Sequence, residues 1–158
     1  MGLEFVVAWA GRHERGPVEE LVADYRARIA AYLPIRDLPV RGKRGPDGAV
    51  RRRAEGEALA AAVPRGAWLV ALDREGTGLT SEQLAVRVES WRREWPHPVV
   101  FLLGSDVGLD PDLVRGCRTR WSLGPLTLPH ALARLVVYEQ LYRALSIVAG
   151  IHYHRPSL

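Results

Sequence analysis

The chain has 158 residues, 47% of them apolar and 25% charged, with a formal net charge of +4. That is the length of one domain with a core of its own, and the composition excludes a disordered, collagen-like or coiled-coil chain. A single cysteine, Cys117, excludes an intrachain disulfide and a cysteine-built zinc site. No apolar run reaches ~18 residues, and Glu4 interrupts the N-terminal apolar stretch, so neither a membrane span nor a signal peptide is expected and the protein reads as soluble and cytoplasmic.

Leu3–Trp9 is rich in strand formers and predicts a buried strand. Pro17 suits the first turn of a helix, along which Val18, Leu21, Val22, Tyr25, Ile29 and Leu33 recur at helical spacing until Pro34 stops it. Ile35–Arg41 alternates weakly, as an exposed strand does. Ala49–Val63 predicts an Ala-rich helix closed by Pro64. Ala67–Leu72 predicts a second buried strand, with a turn over Asp73–Gly78. Thr80 or Ser81 caps a helix that carries Leu84, Val88, Trp91 and Trp95 on one face. Pro98–Leu103 is the most hydrophobic strand. After it come the loop Gly104–Gly108, a short helix over Asp110–Cys117, a last strand over Thr119–Leu123 and the loop Gly124–Pro129. A long helix, His130–Ala149, and a polar tail, Ile151–Leu158, follow. Strands that alternate with helices predict an α/β fold, a mostly parallel sheet with helices on both faces. The last helix is apolar around nearly its whole circumference and must be covered all round, which predicts a subunit interface and hence a homodimer.

The positive charge is concentrated. Arg41–Arg53 (RGKRGPDGAVRRR) holds six basic residues and one acidic, a net of +5, leaving the rest of the chain at −1. A solvated surface face is the bland account of such a run. The concentration of the whole net charge in one segment favours a phosphate-tracking patch made by Arg41, Lys43, Arg44, Arg51, Arg52 and Arg53.

In an open α/β sheet, ligands lie beyond the carboxyl ends of the strands. Three segments meet that description: the turn after Leu72, the Gly104–Gly108 loop and the Gly124–Pro129 loop. The second lacks the dinucleotide fingerprint, because Asp106 stands where that pattern needs glycine, and no Gly-Lys-Ser/Thr follows to make a P-loop. The third, within LGPLTLPH, is short and apolar with mostly backbone polar groups, suited to gripping a flat heterocycle. The tail carries His152, Tyr153, His154 and Arg155, a set suited to stacking on a base and contacting phosphate. Its two histidines have no carboxylate or third ligand nearby in sequence, so no metal is expected.

Taken together, LGPLTLPHALARLVVYEQLYRALSIVAGIHYHR, VALDREGTGLTSEQLA, RGKRG and AGRHERGPVEELVADYRARI resemble, at collinear spacing over essentially the whole chain, the bacterial 23S rRNA pseudouridine-N3 methyltransferases. These are small single-domain members of the SPOUT class. The resemblance implies a homodimer whose C-terminal region forms a trefoil knot, and S-adenosylmethionine bound in that knot. Its contacts would fall at Leu72, Gly104, Leu123, Gly124, Pro125, Leu126, Thr127 and Leu128. The implied substrate is a pseudouridine in a large-subunit rRNA hairpin at the subunit interface of the ribosome, methylated at N3. A competing reading keeps rRNA binding in ribosome assembly and loses methyl transfer. On the methyltransferase reading, Arg155 with His130, His152, Tyr153 and His154 orients the base and stabilises developing negative charge. One departure stands out: the family usually reads Gly-Gly-x-[DE]-Gly where this chain has Gly104-Ser105-Asp106-Val107-Gly108, placing a Cβ where a glycine-only conformation is expected.

Overall fold

Five parallel strands form one sheet: β1 (Phe5–Ala10), β2 (Ile35–Val40), β3 (Trp68–Gly78), β4 (Val99–Leu103) and β5 (Thr119–Ser122). Their order is β2-β1-β4-β3-β5, so the two fully buried strands β1 and β4 lie inside and β2 and β5 form the edges. Five helices connect or follow them: α1 (Pro17–Ala30), α2 (Gly48–Ala62), α3 (Ser81–Glu94), α4 (Pro111–Arg115) and α5 (His130–Val148). The computed structural model describes residues 2–42 and 47–156. None of the helices is long and apolar enough to cross a membrane.

The alternation of side chains along each strand divides the core in two. Phe5, Val7 and Trp9 of β1, Val99, Phe101 and Leu103 of β4, Val70 and Trp121 face one layer with Val22, Ile29, Leu84, Val88, Trp91 and Tyr138. Phe5, Trp91 and Phe101 meet edge to face there, with ring centroids 5.4–6.1 Å apart. Val6, Ala8, Val100 and Leu102 face the thinner opposite layer under Leu59 of α2 and Leu113 of α4. The parallel α/β architecture expected from sequence is present.

Helix α5 lies between α1 and α3 on the thicker side of the sheet. Val137, Tyr138, Leu141, Ala144 and Leu145 are buried within the chain itself. Its apolar circumference is therefore largely covered from inside, by two flanking helices and the sheet. That removes the inference from apolar circumference alone to a second subunit. Leu132 remains 42% exposed.

Local chemistry sets the element starts. Thr80, rather than Ser81, caps α3: its Oγ1 accepts from Gln83 N at 3.1 Å, and the Gln83 side chain accepts from Thr80 N at 2.9 Å. Asp47 caps α2 by accepting from Ala49 N at 2.9 Å. The turn expected at Asp73–Gly78 is instead part of β3, which pairs with β5 through Leu72, leaves the ladder, and rejoins it at Thr77 and Gly78. Glycine permits this: a Cβ on Gly76 would sit 2.6 Å from the backbone of Arg120.

Candidate active site

The irregular stretch of β3 after Leu72 and the carboxyl ends of β4 and β5 open on one cavity of about 710 Å³, within the range of small-molecule sites. It is lined by Leu72 and Asp73 where β3 leaves its ladder with β5, by Gly104–Asp106 and Gly108 after β4, and by Leu123, Gly124, Leu126, Thr127 and Leu128 after β5. His130 at the start of α5 closes one side. Seven of the eight positions expected to touch a cofactor therefore line one space; Pro125 belongs to the same loop but does not line it. Arg74 ties two of the loops by donating from Nη1 to Thr127 Oγ1 at 3.1 Å. Asp73 accepts from Arg120 at 2.5 and 3.0 Å. Partial burial opposes ionisation of Asp73, but the bonds from Arg120 and the Glu75 backbone outweigh it and hold the carboxyl below its ordinary value.

Gly104 is where the backbone needs glycine. A Cβ there would meet Gly108 C at 2.5 Å and Leu109 N at 2.6 Å, because the loop folds back on itself through Gly108 N to Ser105 O at 3.0 Å. Gly108 itself has φ +79°. Ser105 behaves differently from expectation. No described non-glycine residue has positive φ, so Ser105 sits in ordinary backbone. Its hydroxyl donates to Glu55 Oε2 at 2.7 Å. Glu55 is 4% exposed, and Arg51 Nε lies 3.7 Å from its other oxygen. Arg51 also pairs with Asp106. Glu55, Arg51 and Ser105 thus form a latch that fastens the start of α2 to the loop after β4. Sequence reasoning missed Glu55; its partner lies 50 residues away and no local spacing signals the pair.

The latch changes the reading of the basic run. Arg51 points inward onto carboxylates. Arg53 is exposed and pairs with Glu57 one turn on, and Arg41 is exposed. Arg52 is half-buried. Lys43 and Arg44 lie outside the described residues. At the start of α2, a Cβ on Gly48 would lie 3.7 Å from Val107 in the loop after β4.

The tail does not reach the cavity. Tyr153 packs its ring on Tyr142 at 4.7 Å between centroids, donates to Glu139 Oε1 at 3.1 Å and shares a 3.0 Å hydrogen bond with Tyr25. Burial, the Tyr25 bond and the Glu139 charge all push its phenol well above the ordinary value. Arg143 can only donate, so His154 Nδ1 accepts from it at 3.2 Å, and the imidazole proton sits on Nε2, 2.7 Å from Glu82. The hydrogen bond from His154 holds the Glu82 carboxyl below its usual value. His152 and Arg155 are exposed. The tail's contacts on α5, at Glu139, Tyr142 and Arg143, are nine to thirteen residues beyond His130. At ~1.5 Å per residue that is about 14–20 Å along the helix axis. Within one chain, the structure does not bring His130 together with His152, Tyr153, His154 and Arg155.

Comparison with known proteins places this geometry. A family model described as "Predicted SPOUT methyltransferase" matches residues 3–154. A protein of Stenotrophomonas maltophilia (strain K279a) named "Ribosomal RNA large subunit methyltransferase H" is 44% identical over 147 residues, covering 90% of this chain and 94% of its own. A protein of the same name from Xanthomonas campestris pv. campestris (strain B100) is 42% identical with the same coverage. Among solved structures, a probable methyltransferase from Bordetella pertussis Tohama I superposes with a TM-score of 0.51 at 16% identity, covering 91% of this chain and 96% of its own. A probable methylase family protein from Haemophilus influenzae Rd KW20 gives 0.53 at 13%, over 94% and 66% respectively; both likenesses concern the fold alone. With the model matched across nearly its whole length and relatives above 40% identity, the chain belongs to the SPOUT methyltransferase family.

Proposed function

We propose that the chain methylates N3 of a pseudouridine in large-subunit rRNA, with S-adenosylmethionine as donor bound in the strand-end cavity. The observation that carries this reading is that cavity: three segments, shaped by Gly76 and Gly104 and lined largely by apolar side chains, enclose a space suited to a flat heterocycle with a short polar chain. The names of the 40–44% identical relatives supply the substrate class. The donor offers an electrophilic methyl group on sulfonium sulfur for direct displacement by the target nitrogen. The chain's own part is to hold that nitrogen in line and favour its deprotonated form. A cationic surrounding does the latter for a weakly acidic imide.

His130 is the one proposed base-orienting residue on the cavity wall. We assign the remainder of the base site, Arg155 with His152, Tyr153 and His154, to the tail of a second copy in a homodimer, since the tail of the same chain lies well along α5. In the same reading, Leu123–Leu128 tucks against the Gly104–Gly108 loop as part of a trefoil knot, and the exposed Arg41 and Arg53 track phosphates. The competing reading, an assembly factor without methyl transfer, would need a loop after β4 that no longer serves the cofactor, and the Ser105 departure is the one sequence feature that could supply it. That serine is accommodated without strain and is hydrogen bonded to Glu55, so it gives no reason to expect a broken loop.

Mass spectrometry of large-subunit rRNA from a strain lacking the protein tests the proposal. The expected result is one pseudouridine lighter by a methyl group, restored by the purified protein with S-adenosylmethionine. An rRNA of unchanged mass overturns it.

A further inference from the structure

A second, smaller cavity of about 180 Å³, the space of roughly six waters at ~30 Å³ each, lies beside the first. His130 lines both. The second is walled by Trp9 from β1, by Arg12, Glu14 and Arg15, by the first turn of α1, and by Arg134 from α5. Arg134 is 6% exposed and stacks its guanidinium over Trp9, 4.2 Å from the ring centroid. Its Nη2 donates to Glu19. Its Nη1 is buried with no hydrogen-bond partner. An unsatisfied guanidinium nitrogen in such a place leaves a buried donor to be met by an acceptor. The N-terminus of α1 faces the same space: its N-cap is Gly16, which supplies no side-chain bond, and Pro17 follows. A 14-residue helix places partial positive charge and free backbone N–H groups there. Arg12 and Arg15 add two exposed cations at the rim.

Two carboxylates, Glu14 and Glu19, also line the pocket. Glu19 is occupied by Arg134 and by His13 at 3.4 Å; burial resists its ionisation, but those two partners outweigh it and keep the carboxyl below its ordinary value. Glu14 is exposed. The cluster His13, Glu19 and Asp37 has ligand atoms within 4.8 Å of one another. Guanidinium groups already hold both carboxylates, Arg134 on Glu19 and Arg26 on Asp37, so a cation would have to displace them. The site selects an anion.

We infer that this pocket binds a phosphate group, and that the phosphate is a backbone phosphodiester of the RNA strand. The RNA identification rests on the proposed function. A phosphodiester seated here, one His130 ring away from the methyl-donor cavity, fixes the strand so that an adjacent nucleotide enters that cavity. Arg41, Arg52 and Arg53, which do not line this pocket, attract the RNA; the pocket sets its register.

Two variants and two readouts test the pocket. In the intact protein, inorganic phosphate should shift the backbone amide resonances of Val18 and Glu19 and the Arg134 side-chain resonance along one saturable curve. Arg12→Gln/Arg15→Gln, both exposed, and Arg134→Lys, which keeps the charge beside Glu19 but not the second nitrogen, should each weaken that curve by about fivefold or more, the scale of a lost charge-assisted bond. With large-subunit RNA, Arg12→Gln/Arg15→Gln should raise KM about tenfold, leaving the affinity for S-adenosylmethionine as it is. No saturable shift at Val18, Glu19 and Arg134 overturns the pocket, as does a curve indifferent to both variants. An unchanged KM for RNA in an active protein overturns the RNA assignment. A wild-type protein that methylates no rRNA overturns the functional reading instead, and the phosphate titration then judges the pocket alone.

Discussion

The strand-end cavity and the C-terminal tail are built from opposite materials. The cavity depends on main-chain shape and an apolar lining: Gly104 lets the loop after β4 fold against itself, Gly124 has φ +116°, and most lining side chains are apolar. The tail is made by side chains, a hydrogen-bonded set of Tyr25, Glu139, Arg143, Tyr153, His154 and Glu82. A site of the first kind fails when its shape changes and a site of the second kind when its chemistry changes. The two also lie at different heights on α5, and it is on that separation that the proposed composite centre, with cavity and tail from different copies, rests.

Gly104→Val should break the first kind outright. Its side chain meets backbone rather than a movable side chain, and overpacking of about 3 kcal/mol corresponds to a loss of roughly a hundredfold in S-adenosylmethionine affinity. Calorimetry reads this, and far-ultraviolet circular dichroism should show the sheet retained. Arg155→Ala should leave cofactor affinity intact and lower the single-turnover methylation rate by at least about tenfold, since it removes a cation from the base site. Mixing the two inactive chains sharpens the contrast: random pairing makes half the dimers mixed, each with one intact composite centre, so roughly a quarter of wild-type activity should return. No return from refolded mixtures would place tail and cavity in one chain.

A smaller effect is expected where polar chemistry supports the backbone-built site. Ser105→Ala removes one hydrogen bond to buried Glu55, worth about 1 kcal/mol, and should raise the S-adenosylmethionine Kd about fivefold. Arg51→Gln should resemble Ser105→Ala in cofactor titrations. Arg52→Gln/Arg53→Gln should instead flatten only the salt dependence of RNA binding. If the two basic variants behave alike, the latch is a pairing without function.

The smallest effect concerns Asp73. Its carboxyl is held below the ordinary value in the folded chain, so the Arg120 pair contributes stability above pH ~4 and loses it as pH falls through the depressed folded value. Both partners are partly exposed, which limits the gain to about 1 kcal/mol or less. Asp73→Asn should therefore lower Tm slightly at pH 7, and the difference should narrow as the pH is taken below about 4.

Elements with a local signal were legible. The apolar runs of β1 and β4, Pro17 ahead of α1 and the cap of α3 lie in contiguous sequence, and so do the three strand-end loops. What was misread depends on distant partners. Asp73–Gly78 has turn composition, yet β5 recruits its end into the ladder. The apolar α5 looked uncovered because α1 lies more than a hundred residues earlier in the chain. Arg134 did carry a signal, a cation amid an apolar helix, but its partners Trp9 and Glu19 appear only once the chain has folded.

The slot that α5 fills has a consequence for synthesis. Tyr138, Leu141 and Leu145 are fully buried between α1, α3 and the sheet, so a growing chain that lacks α5 exposes the apolar sides of two helices and one face of its central strands. Every strand pair is parallel and each needs a long crossover before it can form. Little native structure can close early, and the final helix acts as the keystone. The chain should stay protease-sensitive and dependent on holding chaperones until α5 has cleared the translating ribosome.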